Sequence, residues 1–271
     1  MKKKNCFSGR LSVLPELYGL HLPAFQENKS QNFSAIFREN IAISLQPGQV
    51  AVVTASFFEQ GIDRKNNLFI ELMQLAGYTT YQEALSYFHH YVDLVLGGYL
   101  NLYLLYGVAL EGHQQNTFAV FQKGKLTRFI ARDLEGICIH PQTLNSRGFD
   151  LDIAENSPQI KSDRALVRNN LLYSVYQLHL GEIILLITDH FGCAEDAFWQ
   201  IIKKVTLQTL MCLKNQFDES LWKAEYNAIL VSYLVSYWPL KALLRMRLNK
   251  NIPEGILFNS IANPFASLCA S

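Results

Sequence analysis

Glu111, His113, Gln115 and Asn116 fall within six consecutive positions, and Arg132 and Asp133 follow them across a segment that reads as a β-hairpin. Phe118-Ala-Val-Phe121 alternates as a strand, Gln122-Lys-Gly-Lys125 is a short polar connection containing glycine, and residues 126–130 resume the strand pattern. A hairpin folds its ends together, so two acids, two amides, an imidazole and a guanidinium are expected to share one small space. That set suits magnesium and phosphate. Magnesium takes oxygen ligands and completes its shell with phosphate oxygens and water. Glu111, Asn116 and Asp133 could supply such oxygens, while His113 and Arg132 could face phosphate or carboxylate. Residue types alone leave the alternative open: charges on a solvated hairpin and its lead-in. Asp133-Leu-Glu-Gly136 is a loose echo of the Asp that follows a hairpin in kinase-type sites.

The elements that must position these residues can be read outward from the hairpin. Thr80, three before Glu83, has the form of a capping box, opening a long helix from residue 81 with Leu85, Phe88, Val92 and Val95 on one face. That helix is expected to reach about residue 110, with a break at Gly97-Gly98, and to deliver the chain to Glu111. Upstream, residues 33–43 carry helical spacing, 50–54 read as a short strand, and 66–76 read as a helix stopped by Gly77. Downstream, 141–163 is polar and irregular, long enough for a lid or docking surface. Helical patterns then fill 166–190 (as one helix or two), 195–213 and 220–236. The fold class expected is α+β, mostly helices packed on a small antiparallel sheet with the hairpin central. Residues 1–60 read as a lead-in and 61–271 as the main domain.

Composition narrows the function. The chain has 271 residues, 49% hydrophobic and 17% charged, with a formal charge of +1. It is long enough for a large core, and it shows no basic stripe that would gather nucleic acid. No apolar segment of signal-peptide form follows Met1-Lys-Lys-Lys4. The apolar run 94–110 falls short of a membrane span and contains Asn101, so a buried helix is expected. Five scattered cysteines without paired spacing fit a reduced, cytoplasmic setting. Trp199, Trp222 and Trp238 sit at helical spacings and read as core. Of His89 and His90 one is expected toward the core and one toward solvent. Asp189, His190 and Cys193 offer too few ligands for a metal corner. Lys241 and Arg245 would share one face of a late helix, with Arg247 elsewhere on it.

Gly107-Val-Ala-Leu-Glu-Gly-His-Gln-Gln-Asn116, the strand pair and Arg132-Asp-Leu-Glu-Gly136 together resemble the signature of the NRPS-independent siderophore synthetases, the IucA/IucC (aerobactin-synthetase) family. The family's usual form has alanine at the position of Gly112, a small-for-small change expected to matter little. Lys241-Ala-Leu-Leu-Arg-Met-Arg-Leu248 followed by Asn263-Pro264, and Phe37-Arg38-Glu39-Asn40, are similar to two further family segments in the family's order. The resemblance covers the FhuF-like palm, the C-terminal half of such enzymes. The His-Pro…Lys segment and the Ser/Thr-rich stretch ending in Arg-Thr of their N-terminal half are not found here.

What the resemblance implies is an ATP-dependent, Mg²⁺-assisted ligase of siderophore biosynthesis. Such enzymes convert a carboxylate of citrate or a related acid to an acyl-adenylate, which an amine or hydroxyl of a polyamine, amino acid or hydroxamate then attacks. Glu111, Asn116 and Asp133 would form the Mg-ATP side, with Lys241 and Arg247 as basic residues reaching it. His113 and Gln115 would hold nucleotide or acid, and Arg132 would support them. The nucleotide site is expected to be half built in this chain alone, completed by an N-terminal-half partner chain, and a homodimer is a further expectation. Two other readings stand: a non-catalytic module binding citrate or a siderophore, and a kinase-like phosphotransferase.

Overall fold

The computed structural model describes residues 9–21, 34–153, 157–216, 219–248 and 257–267. In chain order the strands are β1 (Leu11–Val13), β2 (Glu16–His21), β3 (Ser34–Arg38), β4 (Gln49–Val53), β5 (Val108–Ala109), β6 (Thr117–Gln122), β7 (Lys125–Ala131), β8 (Cys138–Ile139), β9 (Tyr237–Lys241) and β10 (Phe258–Ala262). The helices are α1 (Leu68–Leu75), α2 (Tyr81–Tyr106), α3 (Pro141–Asn145), α4 (Arg164–Leu171), α5 (Glu182–Phe191), α6 (Asp196–Cys212), α7 (Glu219–Tyr233), α8 (Leu243–Leu248) and α9 (Pro264–Ser267). A π-helical segment, Leu172–Gly181, joins α4 to α5 without a break.

The hairpin forms as its pattern requires. Lys123 and Gly124 both take positive φ, +50° and +77°, the two-residue turn whose twist matches paired strands. β6 and β7 sit centrally in a sheet of order β1-β7-β6-β4, antiparallel except where β1 runs parallel to β7. Alternation sends Ala119, Phe121, Leu126, Phe129 and Ala131 into the main core. Val120 and Ile130 point the other way, against Leu14. The expected antiparallel sheet thus gains a parallel edge from the lead-in.

Helix α2 lies across the main-core face of this sheet and also packs on α6. Its capping box is complete: Thr80 accepts from the Glu83 N–H, and the Glu83 carboxylate accepts the Thr79 and Thr80 N–H groups. Those bonds hold the Glu83 carboxyl down to about 2. Contrary to expectation, α2 does not break at Gly97-Gly98. There β1 crosses so closely that a Cβ on Gly98 would stand 2.5 Å from Cβ of Leu11. The glycines supply contact room, and the helix runs on to Gly107, which takes the left-handed conformation.

Three further expectations are corrected. Residues 34–38 are not helical but form β3, pairing with β2, and Asn40 then caps a short 3₁₀ turn, Ile41–Ser44. Apolar spacing yields here to pairing with a strand about twenty residues away; residue 33 lies outside the described residues. Lys241 does not begin the late helix. It ends β9, paired with β10, and α8 starts at Leu243. The polar stretch 141–163 opens with α3 before becoming irregular, and residues 154–156 lie outside the described set.

The run 164–191 is one continuous helix. Among the described residues it is the helix long and apolar enough to cross a membrane, yet 67% of its most apolar window is buried within the molecule. The run 94–110 is the buried C-terminal part of α2 and its exit. Trp199, Trp222 and Trp238 are core residues, as expected. Neither His89 nor His90 is buried, but His90 Nε2 lies 3.0 Å from the Leu126 carbonyl. Glu225 on α7 meets Arg164 and Arg168 of α4 and the Tyr103 hydroxyl of α2, tying three helices through one largely buried carboxylate.

Candidate functional site

Glu111 is placed by the exit of α2. After Gly107 the chain forms β5, which pairs with β8, so the next loop starts from a fixed edge. Glu111 Oε1 accepts a hydrogen bond from Lys241 Nζ at 3.0 Å, across 130 positions of sequence. The two side chains are 23% and 13% exposed, so this pair is shielded from water on most sides. His113 Nε2 stands 3.9 Å from Glu111 Oε2, and the Asn116 amide nitrogen 3.5 Å from His113 Nε2. Gly136 closes the loop over this group: a Cβ there would fall 2.0 Å from the Glu111 carboxylate. Any larger residue at 136 would have to displace the Glu111 carboxylate from this position.

The far end of the hairpin does what its closure predicts. Arg132 donates its backbone N–H to the Asn116 carbonyl at 2.9 Å. Its guanidinium donates twice to the Gln115 carbonyl, at 3.1 and 2.9 Å, and lies 4.9 Å over the Phe118 ring. Arg132 therefore clamps the 3₁₀ turn Gln114–Asn116. Gln115 takes part through its carbonyl, and its residue is exposed. Asp133 adopts φ +67°, a conformation rare outside glycine and tolerated best by Asn and Asp. Its carboxylate is 3.3 Å from Arg38, which also pairs with Glu16 at 3.1 Å. The β2–β3 ribbon is thereby fastened to the site.

Burial tunes the neighbouring groups. Lys241 Nζ sits 5.7 Å from the ring centroid of Tyr173, whose phenol is pushed up by burial and then by Glu111. Burial drives the Cys138 thiol up to about 11, against the pull of Lys161 and Lys241, which keeps it protonated. Arg247 is not brought to this group: it is exposed on α8, while its neighbour Arg245 bonds Asn259 at 2.9 Å. Asn263 is a structural residue, buried, capping α9 through Phe265 N–H and bonding the Tyr233 carbonyl. Asp189 and Cys193 line a separate open hollow with Phe58 and Glu182. Among the described residues no three His, Cys, Asp or Glu side chains gather as a metal cluster.

Two participants escape a reading by residue type. Arg38 stands in a quoted motif, yet nothing local says that its partner is Asp133. Tyr173 lies in an apolar helical run and carries no signal at all.

The family model described as "Ferric iron reductase FhuF-like transporter" matches residues 85–254. A D-ornithine–citrate ligase of Staphylococcus aureus is 27% identical over 223 residues, covering 77% of this chain and 33% of that protein. Among solved structures, the petrobactin biosynthesis protein AsbB from Bacillus anthracis superposes with a TM-score of 0.76 at 17% identity, over 96% of this chain and 43% of AsbB. ATP-bound aerobactin synthetase IucA from Klebsiella pneumoniae superposes with a TM-score of 0.67 at 20% identity, over 96% and 44%. The chain thus spans between a third and a little under half the length of these three proteins. Its helical palm and small sheets are the fold of these synthetases, and the chain belongs to the FhuF-like family, with NRPS-independent siderophore synthetases among its relatives.

Proposed function

We propose that this chain is the palm part of a siderophore-synthetase-type ligase, acting on a carboxylate of citrate or a related acid with ATP and passing the acyl group to an amine or hydroxyl. The observation that carries this reading is convergence. Arg38, the Glu111–Asn116 and Arg132–Asp133 stretches that flank the hairpin, and Lys241 come from three separated motif segments and are linked by Arg38–Asp133, Arg132–Gln115 and Lys241–Glu111 contacts. The ligase activity named for the S. aureus relative and the ATP bound by IucA support it.

The residues fit a magnesium held largely by phosphate oxygens, which needs only one or two protein carboxylates. Glu111, Asn116 and Asp133 each carry a side-chain oxygen, and Glu111 and Asp133 already face cations at 3.0 and 3.3 Å. Magnesium, when bound, would neutralise phosphate charge as pyrophosphate leaves. Lys241 and Arg38 would exchange their carboxylate partners for anionic oxygens of nucleotide or acid, and His113 would contact the same anions. Arg132, bonded to the Gln115 carbonyl through Nε and Nη2 and lying over Phe118, would hold the turn. The remaining phosphate grip is assigned to an N-terminal-half chain or segment.

Citrate-dependent AMP release from Mg-ATP, with hydroxylamine trapping the activated acyl group, tests this. The assay is run on the chain alone and with the N-terminal half of a relative. Asp133→Asn is the control, because asparagine keeps the positive φ and removes only the charge. Expected is AMP and acyl-hydroxamate with the complementing half, reduced at least tenfold by Asp133→Asn. ADP in place of AMP would mark phosphotransfer. Citrate binding without turnover in every combination would leave a binding module and overturn the ligase reading.

A further inference from the structure

The site loop 110–114 is held from behind by the π-helical segment. Ser174 Oγ, which donates to the Asn170 carbonyl at 2.8 Å, stands 3.4 Å from the Leu110 carbonyl; the Leu178 carbonyl accepts from Gln114 Nε2, and His179 Nδ1 lies 2.7 Å from the Gly112 carbonyl. The same segment reaches Lys241's strand, where Gln177 Nε2 donates to the Pro239 carbonyl at 2.9 Å. The helical register makes this grouping. At about 100° per residue in an α-helix, His179 would stand roughly 140° around from Ser174; at roughly 80° in the wider π turn it stands about 40° away.

His179 has no solvent exposure. A carbonyl can only accept, so Nδ1 carries the proton and donates to Gly112. Nε2 is then an acceptor, and the Tyr91 hydroxyl lies 2.6 Å from it. Both ring nitrogens are used, and α2, the π segment and the site loop are joined through one neutral imidazole. Burial, lowering its pKa to about 4, keeps it neutral.

We propose that His179, presented by the π register, is the positioning residue of this site: through the Gly112 carbonyl it fixes the loop that carries Glu111 and His113. The site's ligase role rests on the reading above; the positioning does not.

Amide hydrogen exchange of residues 110–116 reads the loop directly and needs no nucleotide. His179→Leu is expected to speed exchange there at least tenfold beyond what global destabilisation, measured by urea unfolding, accounts for. His179→Asn, whose amide nitrogen can replace Nδ1, is expected to restore most of the protection even if it is no more stable overall. Where the ligase reading also holds, Mg-ATP affinity follows the same order. A wild type that binds no nucleotide even with the complementing N-terminal half would sink that reading while the exchange result stands. Equal loop exchange in the Leu and Asn variants at matched stability would overturn the proposal. The wild-type protein offers a check independent of folding in any variant: ¹⁵N spectra must show His179 protonated at Nδ1, and an Nε2-protonated ring would also overturn it.

Discussion

Alanine at position 112 probes how tightly the site is backed. A Cβ there would stand 2.7 and 2.9 Å from Cε1 and Cζ of Tyr99 and 2.9 Å from Cγ2 of Val175. Neither neighbour can give way cheaply. Tyr99 is 1% exposed, with its hydroxyl 2.8 Å from that of Thr117, and Val175 is wholly buried in the π segment. Relief must come from the backbone of the loop or of a helix, which places the cost in the overpacking range of about 1–3 kcal/mol. On this packing the exchange of glycine and alanine at 112 is expected to be costly rather than neutral. Urea unfolding should show a lower midpoint with an unchanged m-value. At roughly 2–4 °C per kcal/mol for a chain of this size, Tm should fall by a few degrees to about 10 °C. Adding Val175→Ala removes one of the two clashing partners, so the double variant should lose less than the two single losses combined, by about 0.5 kcal/mol or more. A Gly112→Ala protein that unfolds at the wild-type midpoint would refute the packing argument outright.

Two other outcomes follow from buried charge. Glu225→Gln keeps the shape but leaves Arg164 and Arg168 facing a neutral amide where a carboxylate stood 11% exposed; thermal and urea unfolding should report a loss of about 3 kcal/mol, and a loss below 1 would show that the arginines find other partners. His179 is held neutral, its pKa lowered from 6.5 to about 4, so the unfolded chain binds more protons between those values. Its contribution is complete above pH 6.5 and is lost as pH falls toward 4, about 3 kcal/mol across the window. Tyr91 from α2 and His113 from the site loop are the titratable groups beside it. Stability curves of wild type and His179→Leu should converge as pH drops through that range, and parallel curves would refute the assignment.

What could be read along the chain was whatever is decided by near neighbours. Alternation plus Lys123-Gly124 sets the hairpin, because strand faces and turn handedness are local properties. Thr80 and Glu83 start α2 for the same reason, since a cap satisfies N–H groups within one turn. Hairpin closure alone brings Arg132 to Gln115 and Asn116. The motif spelling from Glu111 to Asp133 located the candidate site, but not its partners. Lys241 reaches Glu111 because β9 returns along the π segment, and Arg38 reaches Asp133 because β3 pairs with β2 instead of coiling as its spacing suggests. Gly112's crowding and His179's grip depend on the register in which a ten-residue π segment passes behind the loop. That register shifts side chains by tens of degrees without changing the apolar pattern that marks a helix. Neighbouring residues thus dictate the local elements and the chemistry they carry. Which distant charge, ring and carbonyl each of them meets is set by non-local packing, which spacing along the chain does not encode.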